Sequence, residues 1–221
     1  AMGEPRVDEN VEVAFFGSKF RGDLHPNGFS FLGRAQFETP DGEFKAAFSL
    51  SKLSMQFKRS IIDPLPDGDI KAFYGIASLQ WSGKYWTLTA EYMREPITWD
   101  GFQGTLFENF RSTAEGYYFQ AALRATNSVE VMARYGEIVA DRNDRSGKDF
   151  NRKTFGSVPA HSRYSKIMTT GVRWDMTRDL MLRAEYQRHN GTFILSSREN
   201  PDPNSTDPDW DLFALELSYR F

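Results

Sequence analysis

The feature that most constrains this chain is a two-residue hydrophobic period that returns along most of its length. In the final segment Phe213, Leu215, Leu217, Tyr219 and Phe221 share one face, while Leu212, Ala214, Glu216, Ser218 and Arg220 share the other. A strand sends successive side chains to opposite sides, so this spacing makes one apolar and one polar surface. A helix would scatter the five large apolar residues around its girth. The same alternation sets Trp86, Leu88, Ala90 and Tyr92 against Thr87, Thr89 and Glu91, and Tyr117, Phe119, Ala121 and Leu123 against Tyr118, Gln120 and Arg124. It sets Val129, Val131, Ala133 and Tyr135 against Glu130, Met132 and Arg134, and Met168, Thr170, Val172 and Trp174 against Thr169, Gly171 and Arg173. Leu180, Leu182, Ala184 and Tyr186 oppose Met181, Arg183 and Glu185. With Phe29–Phe37, Phe44–Leu50, Phe73–Trp81 and a weaker Val11–Gly17, ten strands and no convincing helix are expected.

No apolar run exceeds about four residues (Val13–Phe16), far short of the ~20 that a spanning helix needs. A mean hydropathy of −0.55 would suit a soluble protein, yet membrane barrels also average to polar, because their strands alternate lipid-facing and lumen-facing residues. The 27 basic and 30 acidic residues give a net charge of −3, which argues against a nucleic-acid partner held by phosphate contacts. Cysteine is absent, so disulfide scaffolds, thiolate metal sites and thiol nucleophiles are excluded. Residues 1–221 read as a single domain, with Ala1-Met2-Gly3 as a cloning remnant.

The connections alternate in length. Pro40-Asp41-Gly42, Ser82-Gly83, Asn127-Ser128 and Thr177-Arg178-Asp179 are short and carry turn chemistry. Those near 18–27, 54–69, 95–113, 140–163 and 197–209 are long. Keeping all long loops at one end is the habit of an antiparallel up-and-down transmembrane β-barrel in an outer membrane; a soluble sandwich has no reason for it. Trp81, Tyr92, Tyr135, Trp174, Tyr186, Tyr219 and Phe221 fall at strand ends, where aromatic rings form a lipid-facing girdle at the headgroups. Ordinary strand propensity of aromatics is the competing explanation.

If the apolar faces meet lipid, then Glu91, Arg124, Glu130, Arg134, Arg173, Arg183, Glu185, Glu216 and Arg220 line the interior. They would act as a charge and size filter, or pair and plug a narrow lumen. Trp99, Phe102, Phe107 and Phe110, in one long loop, would fold inward as a constriction or pack on the rim. Of the three histidines, His25 and His161 lack a recognisable triad partner. His189 at a strand end could approach Ser196 or Asp141. The acidic run Asp141–Asp149 has Arg145 where a calcium loop needs an oxygen. No catalytic group, metal or cofactor is expected.

The stretch Trp210–Phe221 is similar to the C-terminal strand of Gram-negative outer-membrane proteins, whose final aromatic is read by the barrel insertion machinery. Trp86–Tyr92, Gly116–Gln120, Arg134-Tyr135, Asp141-Arg142, Gly171–Asp175, Leu182–Tyr186, His189–Thr192 and Asn200–Asp202 together resemble a family of proteobacterial porin-like outer-membrane proteins. The resemblance implies an outer-membrane channel for passive diffusion of small hydrophilic solutes, not an enzyme, in contact with outer-membrane lipid and lipopolysaccharide. Family members are longer, so the chain is either the C-terminal portion of a larger barrel or a small barrel of ten strands. A partial barrel would have open edges that pair with missing strands or another copy. The other readings are a barrel-embedded hydrolase or lipid-modifying enzyme, and a non-conducting structural or adhesive barrel.

Overall fold

The computed structural model describes residues 2–3, 16 and 20–220. They form one antiparallel sheet of β1 (Met2–Gly3), β2 (Asp23–Pro26), β3 (Ser30–Glu38), β4 (Phe44–Lys58), β5 (Gly68–Ser82), β6 (Trp86–Gly101), β7 (Phe110–Arg124), β8 (Val129–Val139), β9 (Tyr164–Asp175), β10 (Leu180–Asn190) and β11 (Asp209–Tyr219). From β3 to β11 each strand pairs with the next in sequence, an up-and-down order. β2 pairs with β4 beyond the end of β3, so the two act as one strand interrupted near Asn27, whose N–H still reaches the Ser54 carbonyl at 2.8 Å. The expected strand at Val11–Gly17 lies outside the described residues except for Phe16, and Met2–Gly3, read as a remnant, sits as β1 beside Phe31 and Ser30.

All four short turns form where expected, and threonine chemistry closes three of them. The hydroxyls of Thr39, Thr126 and Thr177 each accept the N–H of the residue that starts the next strand, Phe44, Val129 and Leu180, at 3.0 Å. A local side-chain acceptor of this kind stabilises a tight turn over continued strand. The long connections span 59–67, 102–109, 140–163 and 191–208, and the third holds a six-residue helix α1 (Lys148–Lys153).

One face of the sheet carries large apolar residues left open to the surroundings; Leu215 is 65% exposed and Phe119 60%. That inverts a soluble protein and suits a wall whose solvent is lipid. On this outer face β4 presents Phe44, Ala46, Phe48 and Leu50, β7 presents Leu123, Ala121, Phe119 and Tyr117, and β11 presents Tyr219, Leu217, Leu215 and Phe213. Each strand from β4 to β11 contributes four such residues, and none of them is charged.

This apolar band runs obliquely to the hydrogen-bond rows. Its short-turn end is set by the paired residues Phe44/Trp81, Trp86/Leu123, Val129/Trp174 and Leu180/Tyr219. Across each short turn the band drops two residues: Trp81 pairs with Leu88 rather than Trp86, Leu123 with Val131, and Trp174 with Leu182. Two residues at each of three turns, over the steps from β4 to β11, correspond to strands inclined roughly 30–35° to the band's normal at about 3.3 Å per residue and about 4.8 Å per strand. Strands in membrane barrels tilt by a similar angle. The register thus requires the tilt that a level membrane imposes.

The strands run further towards the long loops than expected: 54–58, 68–69, 95–101 and 110–113 are strand, not loop. The reason is a reversal of phase. Up to Leu50 the apolar residues of β4 point outward; beyond it Lys52, Gln56 and Lys58 point outward while Leu53, Met55 and Phe57 point inward. The outer face leaves lipid for water just where the inner face leaves water for a packed core.

Among the described residues the outer strands of the sheet are β1 and β11. Among the described residues β11 has no partner besides β10, and β3 has only β4 and the two residues of β1. β3 and β11 both run from the long-loop end to the short-turn end, so they are parallel to each other.

Candidate functional site

Eight of the nine charged residues proposed as interior lie on the sheet face opposite the apolar band, and the ninth, Arg220, follows the end of β11. Five of them form a row in direct register: Arg124 opposite Glu130, Glu130 opposite Arg173, Arg173 opposite Arg183, and Arg183 opposite Glu216. Opposite charges one strand apart attract and like charges repel, and the arginines are steered accordingly. Arg173 and Arg183, adjacent and alike, each turn along their own strand, Arg173 to Asp175 at 2.9 Å and Arg183 to Glu185 at 3.0 Å.

Two levels nearer the long loops, Arg134 donates from Nε and Nη2 to the Gln120 side-chain oxygen at 2.8 and 2.6 Å and lies 5.3 Å from the Tyr118 ring centre. Glu91 is opposite Tyr118 and borders a recess of about 310 Å³ with Tyr74, Tyr118 and Arg134. Arg220 lies one residue past β11, at the short-turn rim, where its N–H donates to the Asp179 carbonyl.

The aromatic residues divide between two levels of the outer face. Trp81, Trp174 and Tyr219 sit at the short-turn end of the apolar band, and Tyr92, Tyr135 and Tyr186 at the other. Phe221 lies outside the described residues. Directly beyond the second level, cross-strand charge pairs take over: Arg94 opposite Glu115, Glu137 opposite Lys166, Arg188 opposite Asp211. Tyr92, Tyr117 and Tyr186 hydroxyls donate to Glu115, Glu137 and Asp211 at 2.8–2.9 Å. Each ring thus stays with the apolar band while its polar tip reaches the charged collar, as interfacial tyrosines do. Arg145 from the β8–β9 connection ties Glu115 and Glu137 together at 2.6 and 2.9 Å.

At the long-loop end the inner face of β4–β6 is filled. Leu24, Met55, Phe57, Leu65, Ile70, Trp99 and Phe102 form a buried cluster, with Phe16, Phe20, Phe107 and Phe110 packed against it. The loop aromatics therefore fold inward. Trp99 stacks on Phe107 at 4.8 Å and meets Phe102 at 5.5 Å. Gly68 makes this possible, because a Cβ there would collide with the Phe102 ring. Asp63 pins the cap: its carboxylate accepts the N–H groups of Arg21, Gly22 and Ser60 at 2.9, 2.6 and 2.8 Å.

Burial would raise the Asp63 pKa, but these three donors and the Arg21 charge outweigh it and hold the carboxyl below its ordinary value. A group whose folded pKa is depressed stabilises above its unfolded pKa and loses that contribution as pH falls through the folded one. Tryptophan fluorescence of Trp99 should therefore be flat from neutral pH down to about 4 and change only below that. Asp63→Asn should shift the emission already at pH 7; an unchanged spectrum would contradict the assignment.

The histidines are placed apart. His25 is 3.9 Å from Asp23, and His161 Nδ1 is 3.1 Å from the Thr192 hydroxyl. His189 does not meet Ser196 or Asp141: it stacks on Trp210 with ring centres 3.6 Å apart, and its Nε2 is 3.0 Å from the Gln187 side-chain oxygen. In the acidic run, Asp141 and Asp144 accept the N–H groups of Asn143 and Phe150; their oxygens serve turns.

A family model described as the OmpA-like transmembrane domain matches residues 74–221, from β5 to the end of the chain. No curated protein matches. One solved structure, described as the NanC porin in a rhombohedral crystal form, aligns over 90% of this chain and 98% of that chain with 9% identity and a TM-score of 0.44.

Proposed function

We propose that this chain, which belongs to the family of OmpA-like transmembrane domains, forms the wall of a channel through which small hydrophilic solutes diffuse passively. It is an outer-membrane β-barrel protein, and the finer reading is carried by the row Arg124, Glu130, Arg173, Arg183 and Glu216. Such a row at the level of the apolar band is costly unless it faces water. In this reading Glu91, Arg134, Glu185 and Arg220 complete the lining, no bond is made or broken, and the membrane is that of a Gram-negative bacterium.

The five arginines of the lining are matched by four glutamates and Asp175, so solutes would be sorted by size more than by sign. Planar-bilayer recording tests this. The chain should conduct with little preference for either ion, and Arg124→Gln, Arg173→Gln and Arg183→Gln combined should move the reversal potential to cation preference. A bilayer that stays silent at generous protein load would overturn the channel.

A second reading, a non-conducting structural barrel, draws on the packed cap of Phe57, Trp99 and Phe102 over the inner face. The partners follow from the edges and the rim. Because β1 pairs antiparallel with β3, the outer strands β1 and β11 run antiparallel, the sense that closure of the barrel needs; pairing with further strands or with another copy is the alternative. The collar of Arg94, Lys166 and Arg188 suits outer-membrane lipid and lipopolysaccharide, and Phe221 suits the barrel insertion machinery.

A further inference from the structure

Between the start of β7 and the β8–β9 connection lies a pocket of about 550 Å³, bounded by Phe110, Arg111, Phe150, Lys153 and Arg163 with several acids. Arg163 ends a 3-10 turn (Ala160–Arg163), and its guanidinium carbon sits 4.2 Å from the Phe150 ring centre. Its Nε is buried and has no hydrogen-bond partner among the described residues. Burial lowers the Arg163 pKa, and Asp141 and Asp144 counter this only through space. A desolvated cation without a bonded counter-charge is unfavourable, and a bound anion would relieve it.

The nearby carboxylates keep their charge but make their hydrogen bonds away from Arg163. Asp144 accepts the Phe150 N–H at 2.8 Å, Asp141 accepts the Asn143 N–H at 3.0 Å, Glu108 accepts the Gly104 N–H at 2.9 Å, and Asp149 pairs with Arg152. The cations Arg111, Lys153 and Arg163 have no such bond among the described residues. The pocket is held in shape by close packing: Gly147 has φ +69°, and a Cβ on it would collide with the Ala160 carbonyl and crowd the Arg163 side chain. Phe110 and Phe150, 6.1 Å apart and edge to face, make an apolar wall.

We infer that this pocket binds a small organic acid, its carboxylate on Arg163 and its apolar body against Phe110 and Phe150. Arg111 and Lys153 add positive field at the opening. The inference rests on the channel reading for its purpose, since it assigns a solute class to the long-loop mouth, but not for its test.

The test is calorimetric titration of the folded chain in zwitterionic detergent, with protein-free micelles as the blank. Benzoate should bind saturably below ~50 mM, and benzamide, its uncharged counterpart, about tenfold more weakly or not at all. Arg163→Gln should weaken benzoate about tenfold, and Arg111→Gln, at the pocket's rim, by a smaller factor. Inorganic phosphate should bind more weakly than benzoate, because it makes no use of the aromatic wall. The inference is overturned if benzoate does not saturate, if benzamide or phosphate matches it, or if both variants bind like the parent. Conductance has no part in this readout, so a silent bilayer and an empty pocket are separate results.

Discussion

Arginine in place of Ala121 is expected to cost about 2–4 kcal/mol of folding free energy in a bilayer, while arginine in place of the neighbouring Gln120 costs only about 1 kcal/mol, for the lost bonds and like charge at Arg134. Ala121 is third in its strand's set of four outward residues, near the middle of the apolar band, opposite Leu88 and Ala133. Gln120 is on the inner face and already accepts two hydrogen bonds from Arg134. The two positions share a strand, a depth and a β-propensity class; only the face differs.

Steric crowding is not the cause of the expected difference. Ala90, Ala121, Ala133 and Thr170 floor an apolar groove of about 560 Å³ on the outer face, so Ala121→Leu should be tolerated. Urea unfolding from phosphatidylcholine vesicles, followed by tryptophan fluorescence, gives the three free energies. Equal losses for both arginine variants would contradict the assignment of outer and inner faces on which the channel reading depends.

The band itself was legible because alternation is a local signal: Phe213 to Tyr219 declare their face without knowledge of any neighbour. What the sequence obscured was each strand's upper end. At Leu50 and Tyr92 the apolar phase switches sides, so Met55, Phe57, Ile97 and Trp99 break the pattern that a scan for one continuous face rewards. An inverted alternation after a charged outward residue, Lys52 or Arg94, is the signal that would have found them. The Arg163 pocket is hidden for a different reason. Its cation, its aromatic wall and Arg111 come from segments forty to fifty residues apart, which meet through the β7–β8 and β8–β9 pairings and contacts such as Arg142 N–H to the Thr113 carbonyl. His189 shows the converse: polar neighbours along the chain suggested chemistry, but its face on β10 gives it Trp210 and Gln187 instead.

Phe57→Ala should cost about 3–5 kcal/mol, the loss expected when a fully buried aromatic leaves a void. Phe57 has no solvent exposure, meets Phe16 at 5.1 Å and Phe20 at 5.7 Å, and shares its cluster with Trp99 and Phe102. The cap stands on strand extensions beyond the apolar band, so the damage should be confined there. Trypsin should cut after Lys58 or Arg59 in the variant and spare the parent, while unfolding of the lipid-embedded part is unchanged. The same variant separates the two functional readings. If the cap obstructs the lumen, Phe57→Ala raises single-channel conductance, and Phe57→Ala with Trp99→Ala raises it further; Leu88→Ala, on the outer face, does not. If the cap is only an external dome beside an open path, all these variants conduct as the parent does, and the obstruction is disproved although the cap has been loosened.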